Sequence, residues 1–201
     1  MLPVHIIDRP GGNIYTVTVT GILRNFFVSI IVLFSCAATA RAADPLRRSN
    51  ERTVFSFRLK NSGKYVSILE STDKRKPYLV YRFGTADAVE LEIPRNKEES
   101  WSRFSYWYYL RGGGPQNEGL DLNYLGFTNN GWEYIIYDEY TAVGDQYEAG
   151  VLVVRLQDCK VTELVGRADS SIGSLVQLRG NDALRKDDSI PDERCQEKLG
   201  R

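Results

Sequence analysis

Apolar and polar residues alternate along most of the chain after Thr53, with the period of two that is typical of β-strands. Phe55, Phe57 and Leu59 alternate with polar residues, which places three apolar side chains on one face of a strand. The same alternation predicts about nine strands, at residues 53–60, 64–69, 78–83, 89–93, 101–110, 120–127, 132–137, 151–156 and 160–165. The pattern therefore predicts a mainly β protein, an antiparallel sandwich or barrel whose strands follow one another as a meander.

Turn residues separate the predicted strands. The clearest turn is at Asn129-Asn130-Gly131, because asparagine and glycine readily adopt the positive φ angles of a tight hairpin. Apolar residues recur at helical spacing between Ile172 and Arg179, behind Asp169 and Ser170, either of which can cap a helix. This spacing predicts one short helix near the C-terminus, followed by a polar, charged tail.

The N-terminal region has the organisation of an export signal. Arg24 precedes an apolar run that begins at Phe26, and Ala40-Arg41-Ala42 fits the small-x-small pattern of a signal peptidase site. We therefore expect residues 1–43 to be an export signal with an atypical N-terminal extension, cleaved around Ala40, Ala42 and Ala43, and residues 44–201 to form a single β-rich domain. The apolar run is shorter than the roughly 20 residues of a membrane-spanning helix, so we expect no membrane span after cleavage.

An alternative cleavage site precedes Cys36. The sequence Leu33-Phe34-Ser35-Cys36 is similar to a bacterial lipobox, although Phe34 is bulky where a small residue is usual. Processing there would leave a lipidated Cys36 and an outer-membrane lipoprotein in place of a periplasmic or secreted protein.

Cleavage of the signal changes the chemistry that the chain can perform. It removes His5, the only histidine in the sequence, so Ser/His/Asp and Cys/His relays are excluded from the mature chain. The full chain has 26 Lys and Arg residues and 26 Asp and Glu residues, with the two signs interleaved. Nucleic-acid binding needs a concentrated basic face, so we expect no nucleic-acid partner.

Two cysteines, Cys159 and Cys195, remain after the predicted cleavage. An even pair in an exported chain favours a disulfide. A nucleophilic thiolate is the rival interpretation, but it requires a neighbouring base or cation that lowers its pKa.

Carboxylates are the remaining candidates for chemistry. Glu90 with Glu92, or Asp138 with Glu139, has the composition of a glycoside-hydrolase pair, yet any solvated sheet face carries such residues. Asp145 lies close to Asp138 in sequence, but this spacing matches no calcium loop. We therefore predict no catalytic residues, no metal and no cofactor.

Aromatic residues are dense in the central strands and are the best candidates for binding. Trp107, Tyr109, Trp132 and Tyr134 lie in neighbouring predicted strands, and aromatic rings dominate binding hot spots. The same residues are also common in strand cores. We predict these four as a ligand-binding group for a protein or a glycan of the cell envelope.

Several segments resemble exported β-rich proteins of Gram-negative bacteria that have no assigned activity. They are residues 78–94, YLVYRFGTADAVELEIP, residues 131–140, GWEYIIYDEY, and residues 150–156, GVLVVRL, together with the spaced Cys159 and Cys195. The resemblance implies an envelope location. The leading hypothesis is a non-enzymatic binding or inhibitor-like domain of the bacterial envelope; the alternatives are a carboxylate-dependent hydrolase of envelope glycans and a lipidated structural component.

Overall fold

A computed structural model of the protein describes residues 43–98 and 100–187, which contain eleven β-strands. They are β1 (Glu51–Arg58), β2 (Tyr65–Ser71), β3 (Leu79–Gly84), β4 (Val89–Ile93), β5 (Ser105–Arg111), β6 (Leu120–Asn129), β7 (Trp132–Thr141), β8 (Gln146–Arg155), β9 (Lys160–Val165), β10 (Ile172–Gly173) and β11 (Arg185–Lys186). The helical elements of this part of the chain are short 3-10 turns, at Trp101–Arg103, Pro115–Asn117, Ala168–Ser170 and Leu175–Leu178. None of them is long and apolar enough to cross a membrane.

The strands form two sheets. The smaller sheet has the order β10-β1-β2-β3-β4, and the larger has the order β11-β5-β6-β7-β8-β9. Consecutive strands pair antiparallel from β1 to β4 and from β5 to β9, which confirms the predicted meander. The arrangement is sandwich-like, and neither sheet closes into a barrel. Each of the nine predicted strands has a counterpart, but the strand predicted from Trp101 begins only at Ser105, because Trp101–Arg103 forms a 3-10 turn, and β10 and the parallel β11 were not predicted.

A hydrophobic core joins the inward faces of the two sheets. The smaller sheet contributes Phe57, Ile68 and Tyr81, and the larger contributes Leu125 and Ile136, all nearly inaccessible to solvent. Burial of such a side chain contributes about 1.5–3 kcal/mol. These inward positions define the opposite, outward face of each sheet.

The hairpin between β6 and β7 sets the register of the larger sheet. Its two-residue turn is Asn130-Gly131, with φ angles of 49° and 79°, as a type I′ turn requires. Asn129 therefore pairs with Trp132. Because side chains alternate between faces, this register brings Tyr124 beside Tyr137 on the outward face.

The predicted C-terminal helix is wrong. Gly173 pairs with β1 at a φ of 74°, and a Cβ there would lie 2.1 Å from the Val54 carbonyl oxygen. Helical geometry begins only after Ser174, whose Oγ accepts a hydrogen bond from the Val176 amide. The four-residue 3-10 turn that follows ends at Leu178, before Gly180 adopts a φ of 72°.

Asp138 fixes this C-terminal segment against the larger sheet. Asp138 is buried, and its Oδ2 accepts hydrogen bonds from Ser174 Oγ and the Leu175 amide, both at 2.7 Å. Arg179 donates to Asn123 Oδ1 at 2.8 Å. The segment thereby brings Leu175 into the core.

Several predicted features lie outside the described residues. These are the export signal up to Ala42, including Cys36 and Ala40, and the tail that carries Cys195. Cys159 is buried at the β8–β9 turn with a φ of 58°, and its pairing with Cys195 stays a prediction.

Candidate binding face

The four predicted aromatic residues do not form one surface. Trp107 and Tyr109 lie on β5, whereas Trp132 and Tyr134 lie on β7, with β6 between them. Tyr134 points inward, where its ring stacks on Phe127 at 4.8 Å. Trp132 lies on that same side, near the Arg155 guanidinium. The outward face therefore keeps only Trp107 and Tyr109 of the predicted group.

Other rings complete an aromatic layer on this outward face. The cross-strand register aligns Trp107 with Tyr124, and Tyr124 with Tyr137. The Trp107 and Tyr124 rings lie 5.3 Å apart. Tyr124, Ile135 and Tyr137 form a second apolar cluster, separate from the core between the sheets. These rings contact side chains of the neighbouring strands, and Tyr109, on β5, remains 42 % exposed.

Glutamates share the outward face with these rings. Outward positions of β7, β8 and β9 carry Glu133, Glu139, Glu148 and Glu163. Glu139 lies directly opposite Glu148. We call the outward side of β5 to β9 the aromatic–acidic face, composed of these four glutamates with Trp107, Tyr109, Leu122, Tyr124, Ile135, Tyr137 and Leu152.

Two tyrosine hydroxyls orient two of the carboxylates. Tyr124 Oη donates to Glu139 Oε1 at 2.5 Å, and Tyr137 Oη donates to Glu163 Oε1 at 2.7 Å. Burial and these hydrogen bonds raise the pKa of both tyrosines above the ordinary value. Both hydroxyls therefore stay protonated and continue to donate at physiological pH.

The negative charge of this face is not compensated by nearby cations. Among residues 43–98 and 100–187, none of the four glutamates forms an ion pair. Two basic residues occupy outward strand positions in the described part of this sheet, and neither contacts these glutamates: Arg111, at the end of β5, contacts Glu118, and Arg185 of β11, beside Ser105, contacts Asp187. Burial, followed by repulsion from Glu148 and Glu163, raises the pKa of Glu139. The aromatic–acidic face thus combines apolar area with uncompensated negative charge.

The outward face of the smaller sheet is partly covered, and its carboxylates are paired with cations. Arg82 and Glu51 are fully buried there and form a bidentate ion pair, with contacts of 2.5 and 2.7 Å. Arg82 also donates to the Leu46 carbonyl oxygen at 3.0 Å. Asp44, 6 % exposed, accepts a hydrogen bond from Ser67 Oγ at 2.8 Å. The segment from Asp44 to Asn50 therefore covers part of this sheet, in contrast to the aromatic–acidic face.

The first predicted carboxylate pair is bound to cations. Glu90 pairs with Lys64 at 2.7 Å. Glu92 contacts Arg82 at 2.6 Å and Lys97 at 2.7 Å. Although burial opposes ionisation, hydrogen bonds from Lys97 and Arg82 hold the pKa of Glu92 below its ordinary value. Glu92 is therefore an ionised structural group at neutral pH.

The second predicted pair lies on opposite faces of β7. Asp138 points inward to Ser174, and Glu139 points outward to Tyr124. Asp145 instead accepts a hydrogen bond from Tyr140 Oη at 2.9 Å. Within the described residues, no group of three or more acidic, cysteine or histidine side chains is arranged to hold a metal ion.

A small pocket adjoins the aromatic–acidic face at β5. It has a volume of about 150 Å³ and lies between β5 and the C-terminal segment, with Trp107, Tyr108, Leu178, Leu184 and Lys186 among its lining residues. Trp107 therefore borders both the pocket and the face. β11 pairs only with Ser105 and Tyr106, so it leaves Trp107 outside the parallel pairing.

No protein-family model matches the chain, and neither a curated protein nor a solved structure is similar to it.

Proposed function

We propose that the protein is an exported, non-enzymatic binding domain of the bacterial envelope, which captures a partner on the aromatic–acidic face. The observation that carries the proposal is the contrast between the two outward faces. One is partly covered by the segment from Asp44 to Asn50 and has its carboxylates paired with cations. The other presents Trp107, the exposed Tyr109 and four glutamates that form no ion pair with any residue of the described ranges. Exposed aromatic residues on a rigid sheet are favourable anchors for a partner.

Export is part of the proposal and is supported by the contacts of Asp44, which follows the predicted cleavage region. Ala43 is exposed, whereas Asp44 is buried and hydrogen-bonded to Ser67, Thr53 and the Leu46 amide. Cleavage around Ala42 and Ala43 would leave this anchoring intact. The intact mass of the protein recovered from cells distinguishes a periplasmic or secreted protein from one lipidated at Cys36, and it also tests the Cys159–Cys195 disulfide.

Affinity capture tests the binding proposal. The protein, purified from the periplasm of an expressing strain, is immobilised and exposed to envelope components. We expect Trp107→Ala with Tyr109→Ala to abolish capture while the protein remains folded, as a cooperative thermal unfolding transition shows. The matched control is Leu110→Ala with Tyr140→Ala, which removes exposed apolar side chains from the other side of the same sheet. Equal capture by both double variants would contradict the proposal.

A carboxylate-dependent hydrolase is the second candidate, and one observation favours it. Glu139 has a raised pKa and lies opposite Glu148, which places their Cβ atoms about 4.5–5.5 Å apart. A general acid and a nucleophile in a retaining glycosidase have carboxyl groups about 5–5.5 Å apart. Turnover of an envelope glycan by the protein, lost in Glu139→Gln, would support this candidate; no turnover across a panel of envelope glycans would contradict it.

A further inference from the structure

We propose that the partner of the aromatic–acidic face is a basic protein surface, rich in arginine and lysine. This inference rests on the proposed function and adds the chemistry of the ligand. Four glutamates and a single arginine occupy the charged outward positions of β5 to β9. A partner of positive charge is the one that this arrangement attracts and orients.

The acidic side chains are too widely spread for a metal ion. Glu139 and Glu148 are cross-strand neighbours, but Glu163 lies opposite Leu152 and Glu133 lies near the other end of β7. The glutamates lie on three neighbouring strands, which at about 4.8 Å per strand pair spread them over about 10 Å across the sheet, and Glu133 lies about 20 Å from Glu139 along β7. A surface of this extent with dispersed charges matches a macromolecule that carries several cations.

The contacts of the carboxylates favour arginine in particular. Glu139 and Glu163 each receive a tyrosine hydroxyl on Oε1, and within the described residues no donor reaches their second oxygens. These oriented carboxylates can accept the guanidinium hydrogen bonds that form charge-assisted pairs. The neighbouring Trp107 and Tyr109 offer ring faces over which a guanidinium also stacks favourably.

A bound cation should stabilise the Glu139–Glu148 pair more than any other carboxylate of this face. Burial and repulsion from neighbouring carboxylates disfavour the charged form of Glu139 in the free protein. A cation placed between Glu139 and Glu148 removes this repulsion. On the smaller sheet, by contrast, Arg82 and Lys97 already neutralise Glu92, so that sheet offers no equivalent attraction.

Probe peptides of defined charge test the inference. The protein purified from the periplasm is titrated with nona-arginine, nona-glutamate and the neutral glycan chitohexaose. We expect nona-arginine to bind, nona-glutamate not to bind, and the affinity for nona-arginine to fall as salt rises from about 50 to 300 mM, because salt screens exposed charges.

Two charge-matched triple variants localise the binding. Glu139→Gln, Glu148→Gln and Glu163→Gln together remove three charges from the aromatic–acidic face, and Asp87→Asn, Glu90→Gln and Glu98→Gln remove three elsewhere. We expect about a tenfold loss of nona-arginine affinity in the first variant and less than about twofold in the second. Glu148→Gln alone, at an exposed position, provides a variant that leaves the tyrosine hydrogen bonds intact, should the triple variant unfold.

The outcomes separate this inference from the proposed function. Equal losses in the two triple variants would show that only net charge matters and would overturn the inference. Binding of chitohexaose in place of nona-arginine would overturn it in favour of a glycan. In either case the proposed function stands if Trp107→Ala with Tyr109→Ala still abolishes envelope capture, and it fails if that capture is unchanged.

Discussion

Tyr137 lies across Gly150, the residue directly opposite it on β8. A Cβ at position 150 would lie 2.2 Å from Tyr137 Oη and 2.4 Å from Cζ. The absence of a side chain at Gly150 thus lets the tyrosine reach β9, where it donates to Glu163. One glycine therefore positions both a ring and a carboxylate of the aromatic–acidic face.

Replacement of Gly150 by alanine should displace Tyr137 and destabilise the protein. The new methyl group would also lie 2.7 Å from the Leu164 carbonyl oxygen, so both a ring and the backbone must shift. We expect a loss of about 1–3 kcal/mol in the free energy of unfolding, as for other overpacked sites, measured by urea denaturation. Gly63→Ala is the control, because a Cβ there has no neighbour within 4 Å, and an equal loss in both variants would contradict this account.

Breaking the buried Arg82–Glu51 ion pair of the smaller sheet should strongly destabilise the protein. Arg82→Ala leaves the Glu51 carboxylate buried without its bidentate partner, and such a loss costs about 3–5 kcal/mol. Arg82→Leu combined with Glu51→Leu removes both charges. We therefore expect the double variant to lose less stability than the sum of the losses in Arg82→Leu alone and Glu51→Leu alone. A double-mutant cycle in urea measures the difference; additive losses would show that the two residues are not coupled.

The same pair predicts a loss of stability in acid. Although burial opposes ionisation, hydrogen bonds from Arg82, the Arg48 amide and Tyr78 hold the pKa of Glu51 below its ordinary value of 4.5. A lowered pKa stabilises the folded protein above the unfolded value, and this stabilisation disappears as the pH falls through the folded value. Urea denaturation between pH 7 and pH 3 should show stability falling below about pH 4.5, with a smaller decrease in the double leucine variant.

The contribution of Glu139 to stability should depend on pH in the opposite direction to that of Glu51. Burial and its acidic neighbours raise the pKa of Glu139, so its contribution to stability is complete below the unfolded value and is lost as the pH rises through the folded value. Glu139→Gln keeps an acceptor for Tyr124 and should increase stability at pH 7, by a few tenths to about 1 kcal/mol. Reduced stability at pH 7 would show that the carboxylate itself stabilises the sheet.

The positions of the strands can be predicted from the sequence, but the sheet face on which each side chain lies cannot. Alternation identifies β1 to β9 because each of these strands has at least five residues. β10 and β11 have two residues each, too few for a period of two to be visible. Ile172 and Leu175 have helical spacing, yet Gly173 between them requires a positive φ in a strand. Spacing alone cannot exclude this conformation.

The binding face was only partly predictable for a related reason. The Asn130-Gly131 turn fixes β6 against β7, but the register of β5 against β6 depends on the 3-10 turn at Pro115–Asn117 and the chain around it. Without that register, Trp107 and Trp132 cannot be assigned to opposite faces. Glu148 was missed because the predicted strand began at Val151, whereas β8 begins at Gln146.

Hydroxyl-radical footprinting of aromatic side chains tests the central claim, that the aromatic–acidic face is the binding surface. The protein is oxidised alone and in the presence of envelope components, and the modified residues are measured by mass spectrometry. The account predicts protection of Trp107 and Tyr109, while Tyr65 on the smaller sheet and Tyr140 on the other side of the larger sheet are oxidised equally in both samples. Protection of Tyr65 or Tyr140 with Trp107 and Tyr109 unchanged would contradict it.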